Sequence, residues 1–307
     1  MLKIILKLIT LCFFLFFIGC STKPITWKER ILTNHQQKVT LAFDEYGDKT
    51  KPTLLFLHGF GENRKTWRFL VPKLSQKYHL LMVDFKGFGE SPKLKDSDYS
   101  VYDQARFIKR FMEKKRLKNV TIVGRSFGGG VALILALMQN DKLLQTEIDR
   151  LILIDSMAYK QRLPSMMETL NTPVIGYLGI HFLESQDIAE EGYRYAFYND
   201  ELIPKKSVEY TSRYLSSPLA KYAYLETVHQ LIPDDIETVE QRYREIETPT
   251  LILWGEKDVS IRVKIAYRLD RDLPNSRLKI YKKVGHMPQE EAPQKVIDSI
   301  EKFMGES

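Results

Sequence analysis

Cysteine is nearly absent from this chain: of 307 residues, only Cys12 and Cys20 are cysteines, and both lie at the amino-terminal end. Everything after Cys20 therefore lacks the means for an internal disulfide or a thiol nucleophile. Metal-ligand spacings, a phosphate-cradling loop and a dinucleotide fingerprint are also missing, so no metal or other cofactor is implied. There is no internal repeat and no low-complexity tract. The formal charge is +7, but charges of both signs are scattered, and the one dense basic run is Lys109, Arg110, Lys114, Lys115, Arg116 and Lys118. No nucleic-acid recognition motif accompanies it, so nucleic acid is not an expected partner. The run reads as a solvated helix end and loop, with weak attraction to anionic lipid as the other possibility.

With 44% hydrophobic and 28% charged residues, the composition is that of a globular protein, neither disordered nor polytopic. The length allows one large domain or two ordinary ones. The least globular part comes first. Lys3 and Lys7 precede a mainly apolar run over residues 8–18, closed by Phe17-Ile18-Gly19-Cys20-Ser21. A short positive region, an apolar core and a small residue before the break describe an export signal, too short for a comfortable membrane span. The ending resembles a bacterial lipobox, with Phe17 where that pattern usually has leucine. The resemblance implies a signal over residues 1–19 and a mature chain starting at a lipidated Cys20. Two or more acyl chains suffice for stable anchoring. A signal anchor that stays attached is the alternative. The expected location is the cell envelope, at a membrane face outside the cytoplasm.

Beyond residue 21 strand-like and helix-like segments alternate. Residues 39–43 read as a strand. So do the segments 54–57, 80–83, 120–123, 151–154, 251–253 and 277–281, most of them apolar and bounded by Gly, Asp or Pro. Short runs of this kind suit central strands buried on both faces. Between them, Phe107, Ile108, Phe111 and Met112, and later Val296, Ile297, Ile300 and Phe303, form apolar stripes at helical spacing. The expected class is α/β, with a mostly parallel sheet covered by helices on both faces.

Gly124-Arg125-Ser126-Phe127-Gly128 follows the strand at 120–123 and leads into a helical segment. G-x-S-x-G gains meaning in this strand–turn–helix setting, because the sharp turn lifts the serine hydroxyl above the sheet edge. Ser126 is therefore the expected nucleophile. A hydroxyl needs a base. His286, in Val284-Gly285-His286-Met287-Pro288 after the last strand, is the best placed of six histidines. The imidazole needs a carboxylate to hold its tautomer. Asp258 closes the strand-and-turn segment 251–258, and Asp155, after the strand at 151–154, is a rival. Asp258 is preferred, and the chain order Ser126, Asp258, His286 is that of the nucleophile-elbow hydrolases. The negative charge of a tetrahedral intermediate calls for preorganised donors. The backbone N–H of Phe127 is one candidate, and that of Phe60, in His58-Gly59-Phe60-Gly61, is the second.

These blocks, with Asp84-Phe85-Lys86-Gly87-Phe88-Gly89-Glu90-Ser91 and Trp254-Gly255-Glu256-Lys257-Asp258, resemble the α/β-hydrolase superfamily over nearly the whole chain after the signal. The resemblance implies an α/β-hydrolase core at 20–156 and 241–307, interrupted by a helical cap at 157–240. Members that open epoxides or remove halide differ, with aspartate where this chain has Ser126. What remains is attack on a carbonyl. Eight of the 16 tyrosines fall between Tyr177 and Tyr224, which suits either an apolar acyl pocket or a cap packed on itself. The leading expectation is an esterase or lipase-like enzyme acting on small to medium apolar acyl esters through an acyl-enzyme. Acyl transfer, carbon–carbon bond hydrolysis and a non-catalytic lipoprotein scaffold are the alternatives.

Overall fold

The computed structural model describes residues 27–32, 39–172 and 174–305. The expected signal and Cys20 lie outside them. Helix α1 (Trp27–Leu32) leads into strands β1 (Phe43–Tyr46) and β2 (Thr53–Leu57), helix α2 (Val71–Leu74) and strand β3 (His79–Val83). Helix α3 (Val101–Lys115), strand β4 (Asn119–Arg125), helix α4 (Phe127–Asn140) and strand β5 (Glu147–Ile154) follow. Helices α5 (Ser165–Leu170), α6 (Ile175–Phe182), α7 (Ser185–Ala196), α8 (Lys205–Leu215), α9 (Pro218–His229) and α10 (Ile236–Glu240) then form an insert. Strand β6 (Thr250–Gly255), helix α11 (Lys264–Asp272), strand β7 (Ser276–Tyr281) and helices α12 (Pro288–Glu291) and α13 (Pro293–Gly305) complete the chain.

The strands form one sheet in the order β1-β3-β2-β4-β5-β6-β7, parallel except for β1, as the apolar runs predict. Alternation along each strand feeds two layers. Leu55, Leu57, Leu81, Val83 and Ile122 pack under Tyr102, Ile108, Val131 and Leu135 of α3 and α4. Leu54, Phe56, Leu80, Met82 and Val123 face the other way, onto Trp67 and the Val296, Ile297, Ile300 and Phe303 stripe of α13. Each fully buried aliphatic side chain contributes roughly 1.5–3 kcal/mol. Helix α3 starts at a capping box in which Ser100 and Asp103 satisfy each other's backbone N–H.

One strand differs from the expectation. Residues 39–43 read as a strand, but the ladder runs over Phe43–Tyr46, antiparallel to β3 from Phe43 opposite Val83 to Tyr46 opposite Leu80. Leu41 is buried without pairing. The edge position explains the shift: Asp44 and Glu45 look unlike strand residues, yet Asp44 is paired by Arg64 and Lys65, and Glu45 by His79.

Register carries the function. Leu57 lies opposite Gly124, Arg125 opposite Ile154, Ile154 opposite Leu253, and Gly255 opposite Tyr281. The carboxyl ends of five parallel strands thus finish together, and the loops that follow them open on one edge of the sheet. At this edge the backbone is as close as it can be: a Cβ on Gly255 would lie 1.9 Å from the Gly285 carbonyl oxygen. Gly255→Ala is expected to force these two loops apart, at a cost of about 1–3 kcal/mol. Urea unfolding should register that loss, and activity should fall with it.

Candidate active site

The turn between β4 and α4 holds Ser126 at φ 52° and ψ −116°, a conformation that side-chain-bearing residues rarely adopt. Hydrogen bonds over-determine it. The Ser126 N–H donates to Ile154 O at 3.0 Å, while its carbonyl accepts from Gly129 N–H and Met157 N–H at 2.9 Å and Gly130 N–H at 3.2 Å. Glycine is needed at 128 because a Cβ there would sit 2.2 Å from the Leu57 carbonyl oxygen.

His286 follows β7, and its backbone N–H donates to Ala196 O of α7 at 2.7 Å. Its Nε2 lies 3.0 Å from Ser126 Oγ, and its Nδ1 lies 2.7 Å from Asp258 Oδ2. The other Asp258 oxygen, Oδ1, accepts from the N–H groups of Ser260 at 2.7 Å and Ile261 at 2.9 Å. The carboxylate therefore fixes the tautomer: Nδ1 carries the proton, and Nε2 presents its lone pair to the serine hydroxyl. Burial pushes the His286 pKa down, the Asp258 charge pulls it up, Arg125 lowers it further, and the net direction is below the ordinary value. The rival acid is close but is not the hydrogen-bond partner of His286. Asp155 is completely buried, at φ 42°, and its Oδ1 accepts from Gly255 N–H at 3.0 Å.

Phe127 is the first residue of α4, so its N–H has no acceptor within the helix. The loop carrying Phe60 is braced from below. His58 is fully buried, its Nδ1 donates to Gly59 O at 2.7 Å, and its Nε2 accepts from Phe85 N–H at 3.1 Å. Both ring nitrogens are satisfied only by the neutral form, and burial pushes the pKa down to about 3. The Phe60 ring packs on Tyr224 of the insert at 4.4 Å between centroids.

Three charged residues that no sequence pattern singles out hold these parts together. Arg125 donates from Nη1 to His286 O at 3.1 Å and touches Met287 Sδ, while its Nη2 pairs with Glu62 at 3.3 Å. The same Glu62 oxygen accepts from Gly59 N–H at 3.0 Å. Glu291 accepts from Gly285 N–H at 2.9 Å and from Tyr198 N–H of the insert at 3.0 Å. The one signal available was their position, each within five residues of a motif glycine or histidine.

A cavity of about 170 Å³ leads to Ser126 and His286, with Met157, Met166, Met167, Ile188, Leu215 and Leu231 among its walls. The tyrosine-rich insert lines the cavity as expected, but other tyrosines tie it to the core and not to itself. Tyr193, Tyr195 and Tyr224 line this cavity, whereas Tyr214 and Tyr222 bind the core at Glu90 and Asp96.

The family model of the alpha/beta hydrolase fold matches residues 52–293. The chain belongs to this α/β-hydrolase family. It is 26% identical to "Lipase 1" of Psychrobacter immobilis, covering 95% of this chain and 96% of that one. It is 27% identical to "Lipase 3" of Moraxella sp. (strain TA144), covering 91% of each. A thermophilic esterase from Thermogutta terrifontis has the same fold, with a TM-score of 0.71, 23% identity and coverage of 87% of this chain and 93% of that one. An α/β-hydrolase with these relatives is a hydrolytic enzyme.

The histidines of this hydrolase give two pH dependences. Because the His286 pKa is lowered, the acidic limb of kcat/KM should have its midpoint below 6.5, the ordinary histidine value. For stability, unfolded His58 takes up a proton below about 6.5 and folded His58 only near 3. Between those values the unfolded chain binds more protons, so stability falls as pH falls, by on the order of 1 kcal/mol per pH unit from this group. Urea unfolding of wild type and His58→Gln between pH 4.5 and 6.5 should give a shallower slope for the variant.

Proposed function

We propose that the chain is a membrane-tethered serine esterase acting on esters of small to medium apolar acyl groups. The observation that carries this reading is the hydrogen-bonded series Ser126, His286 and Asp258 at the wall of an apolar cavity. Ser126 Oγ attacks the ester carbonyl as its proton passes to His286 Nε2. Asp258 stabilises the imidazolium so formed. The N–H groups of Phe60 and Phe127 hold the oxyanion. Collapse of the intermediate expels the alcohol, which takes the proton from His286, and leaves the acyl group on Ser126. Water, deprotonated by His286, then attacks the acyl-enzyme, and the acid departs with Ser126 restored.

Cavity size supports the acyl range. An apolar cavity of about 150 Å³ accommodates a benzene ring, so about 170 Å³ suits an acyl chain of roughly six carbons. Two features support a tether. Cys20 ends the lipobox-like segment. Helix α6 leaves Ile175, Tyr177, Leu178 and Phe182 exposed on the insert, Phe182 by 82%, beside helix α5, which lines the cavity with Met166 and Met167. Exposed apolar patches of this kind favour an apolar surface such as a bilayer.

Two measurements test the proposal. A soluble form starting after Cys20 should hydrolyse p-nitrophenyl esters with a maximum near butyrate to hexanoate and weak turnover of palmitate. Ser126→Ala should lose about 10⁴-fold or more in kcat. If wild type is as inactive as Ser126→Ala on every ester, ester hydrolysis is excluded as the activity. Separately, Cys20→Ala in the full chain should give a soluble or a signal-anchored form, neither carrying diacylglycerol. Membrane fractionation distinguishes the two forms, labelled palmitate should enter neither, and unchanged incorporation overturns the tether.

A further inference from the structure

Two buried acids meet at the end of the sheet. One carboxyl oxygen of Asp155, one of Asp258 and one ring nitrogen of His286 all lie within 4.8 Å of one another. Asp258 is richly supplied with donors: His286 Nδ1 and the N–H groups of Ser260 and Ile261. Asp155 has one, the Gly255 N–H on Oδ1, and its Oδ2 is buried with no donor among the described residues. An oxygen without a donor, beside a charged carboxylate, is satisfied if it carries a proton and donates it to that neighbour.

We propose that Asp155 is a second carboxyl of the site, which shares one proton with Asp258 and becomes the acidic partner of His286 when Asp258 is neutralised. The inference rests on the serine-esterase reading above.

Two carboxylates this close in a dry site do not both ionise. The donor count decides which one keeps the proton: three donors hold Asp258 as the anion, and Asp155 is the neutral acid. Burial and the Asp258 charge push Asp155 well above the usual carboxylate range, against the pull of the Gly255 N–H and of Arg125. The other groups that face the pair do not relieve it. Arg125, at the end of β4, is committed to Glu62. Tyr281, on β7, has its hydroxyl on Lys295 O and Ser299. Tyr195 of α7 and Glu291 of α12 also feel the Asp258 charge, and both are pushed up by burial first. In the ground state Asp155 is a positioning residue: its O–H orients the carboxylate that orients His286. The proton stays within the pair, and no bond is made or broken by Asp155.

The test uses the full chain in detergent. Asp155→Asn, Asp258→Asn and the double variant are compared with wild type by kcat/KM from pH 5 to 10 and by labelling of Ser126 with a fluorophosphonate. Asparagine keeps the shape of each side chain, and at position 155 it keeps both the acceptor for Gly255 N–H and a donor toward Asp258. Asp155→Asn is expected to lower kcat/KM by about three- to tenfold at every pH, because the amide is a weaker donor to Asp258 than the acid O–H. A lone triad acid changed to amide costs about 10⁴-fold. Asp258→Asn is expected to lose only about 10²-fold, and to recover as pH rises and Asp155 ionises. The double variant is expected to lose the full 10⁴-fold with no alkaline recovery. If Asp258→Asn is as inactive as the double variant at every pH while wild type labels at Ser126, the shared acid is overturned and the esterase reading stands. If wild type does not label at Ser126, the esterase reading falls, and the inference with it.

Discussion

The site depends on one constraint, the in-register finish of five parallel strands. Leu57, Arg125, Ile154, Gly255 and Tyr281 end at one edge because their ladders leave no other register with both faces buried. A slip of one residue would turn every core side chain of a strand toward the wrong layer. That cost is what holds Ser126 and Asp258 within hydrogen-bond reach of His286, and Asp155 within 4.8 Å of Asp258 and His286, across up to 160 residues of sequence. The reactive groups sit on loops, but their positions are set by the hydrophobic core beneath.

Close approach then demands particular residues. Where strand ends converge, there is no room for a Cβ at 128 or 255, so glycine there follows from packing and not from loop flexibility. The strained φ of Ser126 has the same origin. Three N–H groups converge on its carbonyl and one carbonyl receives its N–H, so the surrounding structure carries the cost of the unfavourable backbone.

Much of this was legible in the sequence, for physical reasons that can be named. Strands buried on both faces must be continuous apolar runs, and five of the seven could be read as such; β7, an edge strand carrying Arg277 and Lys279, was read as the segment before the histidine motif, and Ser126, Asp258 and His286 each follow one of these six. β1 could not be read that way, because an edge strand with Asp44 and Glu45 is held by ion pairs to Arg64 and Lys65 and a hydrogen bond to His79, none of which neighbours it in sequence. The role of Arg125 was hidden for the same reason. In the motif it is the variable position, and only the fold shows its side chain running beneath the histidine loop to Glu62. The division of the cap tyrosines between cavity and core was likewise beyond composition, since a ring at either place has the same sequence signature.

The Arg125–Glu62 pair deserves a physical account because burial should disfavour it. Desolvating two charges usually costs more than their attraction returns, and here Arg125 Nε and Glu62 Oε1 lack partners among the described residues. Burial accordingly pushes Glu62 upward, with Arg125 opposing. A hydrophobic pair of the same volume would stabilise the fold as well or better. What it could not do is bind three backbones at once: the His286 carbonyl, the Gly59 N–H and, through its own chain, the serine turn. The Phe60 loop, Ser126 and His286 follow strands β2, β4 and β7, and no backbone ladder joins their loops. A polar tie with directional bonds fixes their relative positions where apolar packing would let them slide, so stability is given up at this point for geometry.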